Sequence, residues 1–387
     1  MDFEFSEEQQ LLKDSIEGLL GDKYGFEQRK KILESADGWS REIWKQFAEL
    51  GILGLPFAEE HGGIGGGPVE TMIVMETIGK ALVLEPYLPT VVLAGGFIRH
   101  FGTDAQKNKY LPQIAEGKIT GAFAHTERQS RYDLFDVKTT AKASGNGFTL
   151  DGAKSVVLNG DQADFIIVTA RISGNPRDKD GLGLFIVDAK ANGVSRRGYR
   201  TVDGLSAAEI QLSGVKVEAD AVIGKPGAAY PLIEQIVDDG IAALCGEAVG
   251  VFSSLTESTT DYLRTRKQFG VNIGSFQVLQ HRNVEMLIAA EQAKSMTFLA
   301  TMMVNETNAV ERRKTMAAAK TQIGRSAQFV GEQAIQLHGG IGMTMELKVG
   351  HWFKRATAID IQFGDADYHL EQFGNMGGFE AAAQGKE

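Results

Sequence analysis

The sequence predicts an α+β fold that is mostly α-helical, with a helical domain first, a β-domain in the middle and a four-helix bundle last. Apolar residues recur at helical spacing up to about residue 117. Short β-branched and aromatic runs separated by Gly, Asn and Asp then fill residues 118–222, and long helical periods return from about residue 226. We therefore expect domains at 1–117, 118–225 and 226–387.

Helix start signals are clear in the first block. Ser6 and Gln9 have the spacing of a capping box ahead of the run LLKDSIEGLL. Another helix is expected to start near Ser40, with one apolar face formed by Ile43, Trp44, Phe47 and Leu50. The run HGGIGGGP (61–68) interrupts the pattern, and Pro68 suits the first turn of the next helix.

The middle block reads as strands. Runs such as DFIIVTAR (164–171) and GLGLFIVDA (181–189) are short, apolar and bounded by turn residues. Their regular spacing predicts a small barrel or sandwich. Residues 173–181, SGNPRDKDG, are expected to form a loose surface loop.

The last block predicts four long helices, at about 228–266, 276–305, 308–338 and 346–373. The third carries an apolar seam whose members are spaced 4, 3, 4 and 3 residues apart: Ile323, Ala327, Val330, Ala334 and Leu337. This spacing is typical of a packed helical bundle.

Composition excludes several classes of protein. The 387 residues are 43% hydrophobic and 23% charged, which is typical of a soluble globular protein. A net charge of −10 argues against nucleic acid as a partner, because phosphates require a basic surface. The start MDFEFSEEQQ has no signal-peptide character, no apolar run is long enough to span a membrane, and the single Cys245 excludes intrachain disulfides and cysteine metal sites. We expect a cytoplasmic enzyme or enzyme subunit without a metal.

Three segments carry candidate chemistry. The glycine-rich corner QLHGGIG (336–342) can bring backbone N–H groups to a phosphate, or it can simply end a helix. Arg266 can clamp a phosphate, or it can stabilise a helix C-terminus for which Gly270 is the cap. Thr126 can donate a hydrogen bond to a ligand, Arg128 and Arg131 can meet an anion, and His125 is expected to be structural. No pattern of a hydrolase or a phosphoryl-transfer enzyme is present.

In order and spacing, several motifs resemble the acyl-CoA dehydrogenase family over nearly the whole chain. The matching pieces are GGIG (62–65), FGTDAQKNKYLPQIAEGKITGAFAHTE (101–127), KSVVLNG (154–160), YLRTRKQFG (262–270) with the Phe-Gln pair at 276–277, and QLHGGIGMTMELKVGHWFKR (336–355). The overall run is most similar to the small subunits of bacterial pimeloyl-CoA dehydrogenases.

The resemblance implies an N-terminal helical domain, a middle β-domain and a C-terminal four-helix bundle, with FAD held between subunits of a dimer or tetramer. It implies oxidation of an acyl-CoA to a 2-enoyl-CoA, in which a Glu removes the α-proton and the flavin accepts the β-hydride. An electron-transfer flavoprotein then takes the electrons.

The resemblance also implies roles for individual positions. Arg266 and Gln268 match residues that contact FAD phosphate and ribose from the neighbouring subunit, and Phe276 and Gln277 match another FAD-contacting pair. Thr126 matches a residue beside the flavin ring. The stretch that cradles the ADP part of FAD corresponds to Gln336, Leu337, His338, Gly339 and Gly340. Asp238 matches a position near the CoA-binding helix, and Asp365 lies at the cofactor edge.

The sequence departs from the family where the chemistry occurs. Phe363 occupies the usual base position, and Gly240 occupies the alternative one on the bundle's first helix. An aromatic ring and a glycine cannot accept a proton, and Asp239 is expected to point away because adjacent helical residues diverge by about 100°.

Positions around the base also differ. The Trp-x-Thr beside the flavin reads Val156-Val157-Leu158, and a CoA-binding Arg is replaced by Ile241. Arg131 and Tyr132 replace a small Gly-Ser pair, so they either close the acyl channel or bind a second carboxylate of the substrate.

These departures predict a base-lacking subunit of a heteromeric acyl-CoA dehydrogenase, whose paralogous partner supplies the Glu and the substrate channel. Such enzymes act in fatty or dicarboxylic acid degradation. Two alternatives stay open: a homomeric flavoenzyme with an unusual base, and a non-catalytic binding or scaffold protein.

Overall fold

The computed structural model describes residues 5–378. Residues 1–4 and 379–387 lie outside the described residues. They include the first part of the segment that is predicted to lack signal-peptide character, and the end of the third predicted domain. The chain forms two compact units. One comprises Met1–Arg29, Pro68–Val83 and Ile241–Glu387, and the other comprises Lys30–Gly67 and Leu84–Gly240. The domain boundaries after residues 117 and 225 stay a prediction.

The predicted order of helices, strands and helices is confirmed, and 56% of the structure is helical. The N-terminal part contains six α-helices and one π-helical segment, Leu88–Ala94, that leads directly into the fifth: α1 Glu7–Lys23, α2 Phe26–Glu34, α3 Arg41–Glu49, α4 Pro68–Ala81, α5 Gly95–Phe101 and α6 Asp104–Ala115.

The predicted helix starts are confirmed. The side chains of Ser6 and Gln9 form the reciprocal hydrogen bonds of a capping box at α1, and Ser40 caps α3 by accepting from the backbone N–H of Ile43. These bonds satisfy N–H groups that the helix itself leaves free. Pro68 is the first residue of α4, where its missing N–H costs nothing.

The middle part contains the eight strands of one sheet: β1 Gly121–Ala124, β2 Thr140–Ser144, β3 Gly147–Leu158, β4 Phe165–Arg171, β5 Leu182–Asp188, β6 Val194–Arg200, β7 Ser206–Glu218 and β8 Val222–Ile223. The strand order is β6-β7-β3-β2-β4-β5-β8, with β1 parallel to β4. This is an open path rather than a closed barrel. The sheet is nevertheless curved around its own apolar core. This curvature is seen in the contact between the rings of Phe148 in β3 and Phe185 in β5, whose centroids are 5.2 Å apart.

The C-terminal part contains five helices and a short hairpin: α7 Tyr230–Thr265, β9 Lys267–Gln268, β10 Val271–Asn272, α8 Gln277–Met303, α9 Ala309–His338, α10 Lys348–Ile361 and α11 Ala366–Asn375. The seam predicted on α9, from Ile323 to Leu337, is buried throughout. The prediction of one helix over 346–373 was wrong. The chain breaks at Phe363 and Gly364, whose φ angles of 60° and 114° are incompatible with a continuous helix. Within residues 5–378, no helix is both long and apolar enough to cross a bilayer.

Candidate functional site

The glycine-rich corner lies at the C-terminus of α9. Gly339 caps the helix at φ 67° and ψ −149°, a conformation open essentially only to glycine. The side chain of Gln336 is exposed, whereas those of Leu337 and His338 are buried. A Cβ at Gly339 or Gly340 would meet nothing within 4 Å. This corner therefore offers a ligand its backbone and Gln336, but neither of the two buried side chains.

A ring stack holds this corner against the end of α7. The imidazole of His338 lies on the ring of Tyr262, with centroids 4.5 Å apart and an interplanar angle of 25°. His338 donates Nδ1–H to the carbonyl of Ala334 at 2.8 Å, which fixes its tautomer. Burial lowers the pKa of His338, so the ring stays neutral at physiological pH. The stack places Arg266, which follows the last residue of α7, in the neighbourhood of the QLHGG stretch.

Arg266 leads into the β9–β10 hairpin. Phe269 and Gly270 occupy its two turn positions with φ angles of 56° and 81°, as a type I′ turn requires. The expectation that Gly270 caps helix α7 was therefore wrong, because the helix ends at Thr265 and the glycine turns a hairpin.

The side chains of this hairpin and of the start of α8 face solvent. Arg266, Gln268 and Gln277 are exposed. Phe269 is 90% exposed and packs edge-on against Phe276, with ring centroids 6.2 Å apart. Together these groups suit a dinucleotide with phosphates. They are the guanidinium of Arg266, the amides of Gln268, Gln277 and Gln336, the exposed rings of Phe269 and Phe276, and the open glycine backbone. These bundle residues therefore fit the ADP part of FAD.

The corner at the usual base position is rigidly built. Phe363, which has φ 60°, offers no carboxylate, and its carbonyl accepts from Nε2–H of His369 at 2.9 Å. Lys320 donates to the carbonyls of Asp360 at 2.6 Å and Gly364 at 2.7 Å. Asp365 caps α11 by accepting from the N–H of Tyr368 at 2.9 Å. The two carboxylates closest in sequence to Phe363 are thus used by the turn, since Asp360 accepts from the N–H of Ala366.

The groups that hold this corner are buried and titrate abnormally. Burial lowers the pKa of His369 to about 3, and the nearby Lys320 charge contributes. Burial also lowers the pKa of Lys320 to about 8, against the attraction of Asp360. Neither group is placed to accept a proton from a ligand, because both already donate to backbone carbonyls.

The alternative base position on α7 is also without a free carboxylate. Gly240 is buried, and its neighbour Asp238 is fully buried. The Asp239 carboxylate lies 3.5 Å from Arg99 and 3.3 Å from His100, both on α5. Asp239 therefore pairs with the guanidinium of Arg99 and the imidazole of His100 on α5.

The residues expected beside the flavin ring lie where β1 meets β3. Thr126 is exposed just after β1, and its carbonyl accepts from the N–H of Ser155 at 2.8 Å. Val156, which replaces the family's Trp, is 53% exposed at φ 52° within a register shift of β3. Such a φ is strained for a β-branched residue. This backbone detour therefore presents an aliphatic side chain to solvent rather than an aromatic ring.

The residues expected at the substrate channel are also accessible. Arg131 is exposed at φ 46° and Tyr132 is half-buried. The 173–181 loop is exposed as predicted, but it is not loose. Arg171 donates to the carbonyls of Asp180 at 2.6 Å and Pro176 at 2.9 Å, and the loop's Arg177 pairs with Asp133 at 2.7 Å.

A buried ion pair that sequence reasoning missed lies beneath Thr126. Lys154, fully buried in β3, donates to Glu127 at 2.8 Å, to the carbonyl of His125 at 3.1 Å and to the hydroxyl of Thr169 at 3.0 Å. The Thr169 hydroxyl in turn lies 3.2 Å from Nδ1 of His125. His125 is thus a buried structural residue, as expected, and burial together with the Lys154 charge lowers its pKa to about 3.

Lys154 and Lys320 each left a signal in the sequence. Lys320 lies three residues before Ile323 and so continues the α9 seam, and Lys154 sits between alternating apolar residues of a strand. A lysine at an inward position marks a buried charge that needs a partner. The apolar pattern of the sequence does not identify the segment that supplies the counter-group of each lysine.

The chain matches the acyl-CoA dehydrogenase N-terminal, middle and C-terminal domains over residues 6–118, 122–215 and 232–376, respectively. It is 31% identical over 355 residues to acyl-CoA dehydrogenase FadE12 of Mycobacterium tuberculosis, covering 89% of each chain. It is 28% identical over 372 residues to the probable acyl-CoA dehydrogenase YngJ of Bacillus subtilis, covering 95% of this chain and 97% of the relative.

Two solved structures are similar over nearly their whole length. The Tcur3481-Tcur3483 steroid ACAD has a TM-score of 0.87 at 27% identity, with 97% of this chain and 99% of that chain covered. PigA with FAD and proline has a TM-score of 0.88 at 25% identity, with 100% of both chains covered. The chain therefore belongs to the acyl-CoA dehydrogenase family of FAD-dependent oxidoreductases.

Proposed function

We propose that this chain is the base-lacking subunit of a heteromeric, cytoplasmic FAD-dependent acyl-CoA dehydrogenase. One observation carries the proposal: neither base position holds a carboxylate, while the residues that suit the cofactor's ADP part are exposed. Phe363 and Gly240 occupy the base positions. The carboxylates of Asp360, Asp365 and Asp239 are engaged in structural contacts.

The division of work follows from these residues. When bound, FAD accepts the two electrons removed from the acyl group. Arg266 and Gln268 of this chain would contact the phosphate and ribose of FAD across an interface with the partner. Phe276 and Gln277 would make a further contact with the cofactor, and the Gln336–Gly340 stretch would hold its ADP part. A paralogous acyl-CoA dehydrogenase subunit supplies the Glu that removes the α-proton. The assembly needs such a residue because general-base catalysis contributes about 10²–10⁴-fold to the reaction rate. An electron-transfer flavoprotein accepts the electrons.

The comparisons support a two-component enzyme. The Tcur3481-Tcur3483 steroid ACAD is named for two components, and that structure has the fold of this chain over 99% of its length. In such an assembly a chain without a base still has a role, because one member of each pair can contribute residues to the cofactor site without carrying out proton transfer.

We further propose a dicarboxylyl-CoA of the pimeloyl type as the substrate class. Arg131 is exposed and its guanidinium makes no ion pair within residues 5–378, so it can receive a second carboxylate bidentately. Tyr132 follows it in the chain and is half-buried. A monocarboxylic acyl chain offers the Arg131 guanidinium no partner.

The test is an absorbance spectrum of the chain purified alone and after co-expression with a neighbouring acyl-CoA dehydrogenase paralogue. We expect flavin bands only in the co-purified complex, together with bleaching by pimeloyl-CoA under anaerobic conditions. A lone chain that holds one FAD per subunit and oxidises an acyl-CoA would contradict the proposal in favour of a homomeric enzyme. A complex without flavin would favour a scaffold.

A further inference from the structure

A cleft of about 550 Å³ opens on the β-domain. Its floor is formed by β3, β7 and β6 through Gly152–Ser155, Glu209–Gln211, Ser195 and Arg197, and its wall by residues 127–129 and 138–139. All of these residues belong to the unit comprising Lys30–Gly67 and Leu84–Gly240. The volume is within the range of sites for small organic ligands.

The buried Glu127–Lys154 pair fixes the wall to the floor. The Glu127 carboxylate accepts from Lys154 of the floor at 2.8 Å, and also from the N–H groups of Lys138 at 2.8 Å and Thr139 at 3.0 Å. Gln129 donates to the same carboxylate at 2.8 Å. Because the hydrogen bonds tie both wall segments to one buried carboxylate, the cleft is preformed.

The second acidic group of the cleft is likewise engaged. Glu209 accepts from the hydroxyl of Ser155 at 2.9 Å, from the hydroxyl of Tyr199 at 3.1 Å and from the N–H of Val156 at 3.4 Å. Neither Glu127 nor Glu209 is therefore free to bind a cationic ligand.

Three cations of the cleft form no close ion pair among the described residues. Arg128, Lys138 and Arg197 are exposed, and none of them forms an ion pair within the part of the chain that the structure describes. Strand alternation turns Arg197 toward the cleft, whereas the adjacent Arg196 donates to the carbonyls of Gly160 and Ala163. With Lys154 balanced by Glu127, three exposed cations face the single carboxylate of Glu209, whose charge Arg128 offsets, so the cleft keeps a positive balance that favours an anion.

We propose that this cleft binds the diphosphate of a nucleoside diphosphate group. Arg128, Arg197 and Lys138 would contact the phosphate oxygens, since guanidinium groups bind phosphates bidentately. The amide of Gln211 and the hydroxyl of Ser195 would contact the sugar and base. A single inorganic phosphate would leave most of the cleft unfilled. Free ADP and the nucleotide end of CoA both present this chemistry.

Isothermal titration of the purified full chain with ADP tests the proposal. We expect one ADP per chain, with affinity about tenfold weaker in Arg197→Gln and in Arg128→Gln, because each substitution removes a charge-assisted hydrogen bond. Lys216→Gln, an exposed cation on β7 outside the cleft, is the matched control and should bind ADP like the wild type. A titration with CoA then identifies which source of the group binds more tightly.

Absence of ADP binding would overturn the proposal, as would equal weakening in the Lys216→Gln control. Inorganic phosphate that binds as tightly as ADP would overturn the assignment of a nucleoside. The ADP titration needs neither a flavin, nor a base, nor a partner subunit. Its failure is therefore distinguishable from failure of the proposed dehydrogenase function.

Discussion

At the scale of single residues, two of the buried histidines, His125 and His369, link structure to pH most directly. His125 and His369 are held neutral, and the pKa of each is lowered to about 3. The unfolded chain protonates its histidines near pH 6.5. Between pH 6.5 and 3 the unfolded state therefore binds more protons than the folded state, so stability is lost as the pH falls through this window.

We expect His369→Gln to weaken this acid sensitivity. Gln can still donate to the carbonyl of Phe363, but it does not titrate. The slope of unfolding free energy against pH, measured by urea titration between pH 6.5 and 4, should fall by about 1.4 kcal/mol per pH unit. His281→Gln, at an exposed site, is the control and should leave the slope closer to that of the wild type. An unchanged slope in His369→Gln would show that His369 is protonated in the folded state.

Lys154 gives a second prediction at this scale. The Lys154 charge and its hydrogen bond lower the pKa of Glu127 to about 2 although burial acts to raise it, so Glu127 is ionised at neutral pH. Lys154→Met would leave this buried carboxylate without its counter-ion, which costs about 3–5 kcal/mol. Urea unfolding at pH 7 measures the loss.

Two further variants show whether the loss comes from the unpaired charge. Lys142→Met removes an exposed lysine of β2 and should change stability little. Adding Glu127→Gln to Lys154→Met should recover part of the loss. If the double variant is less stable than Lys154→Met alone, the uncompensated charge is not the cause.

At the scale of elements, the β9–β10 hairpin determines where Arg266 is presented. Its two-residue turn holds the strands in antiparallel register, so Arg266 leaves α7 in a fixed direction.

In the co-purified complex we expect Arg266→Gln to raise the FAD dissociation constant about 10–100-fold, because a charged hydrogen-bond donor to phosphate is lost. Flavin fluorescence released on dilution measures this. Arg264→Gln, an exposed arginine two residues earlier, should retain FAD; equal losses in both variants would contradict a specific clamp.

The α10–α11 corner gives another prediction for an element. Lys320→Met removes the donor to the carbonyls of Asp360 and Gly364, and unpaired buried carbonyls cost about 1–3 kcal/mol each. We expect faster amide hydrogen exchange at the start of α11, measured by mass spectrometry. Lys294→Met, at an exposed site on α8, should leave the exchange unchanged. Unaltered exchange in Lys320→Met would mean that the lysine does not hold the corner.

At the scale of the whole molecule, the family membership and the missing base together predict that the cofactor site is completed only in an assembly. FAD at about 100 times its dissociation constant stabilises the form that binds it by about 2.7 kcal/mol. We therefore expect added FAD to raise the thermal midpoint of the co-purified complex but not that of the lone chain. Differential scanning calorimetry measures both, and an equal rise in the lone chain would show that it binds FAD unaided.

The sequence by itself determined the order of helices and strands, the caps at Ser6 and Ser40 and the seam from Ile323 to Leu337. These features depend on residues close together along the chain, where periodicity and capping chemistry act locally. It also predicts that Phe363 and Gly240 occupy the base positions, and this prediction rests on the resemblance of the flanking motifs to the family.

Only the tertiary structure decided what surrounds those positions. Three contacts join segments that are separated along the chain. Lys154 pairs with Glu127, Asp239 pairs with residues of α5, and Lys320 and His369 hold the Phe363 corner by hydrogen bonds. Local pattern cannot identify such partners, since a buried charge needs some counter-group but does not specify which segment supplies it. The hairpin at Gly270 was missed for a related reason: a glycine after a helix suits either a cap or a turn, and strand pairing decides between them.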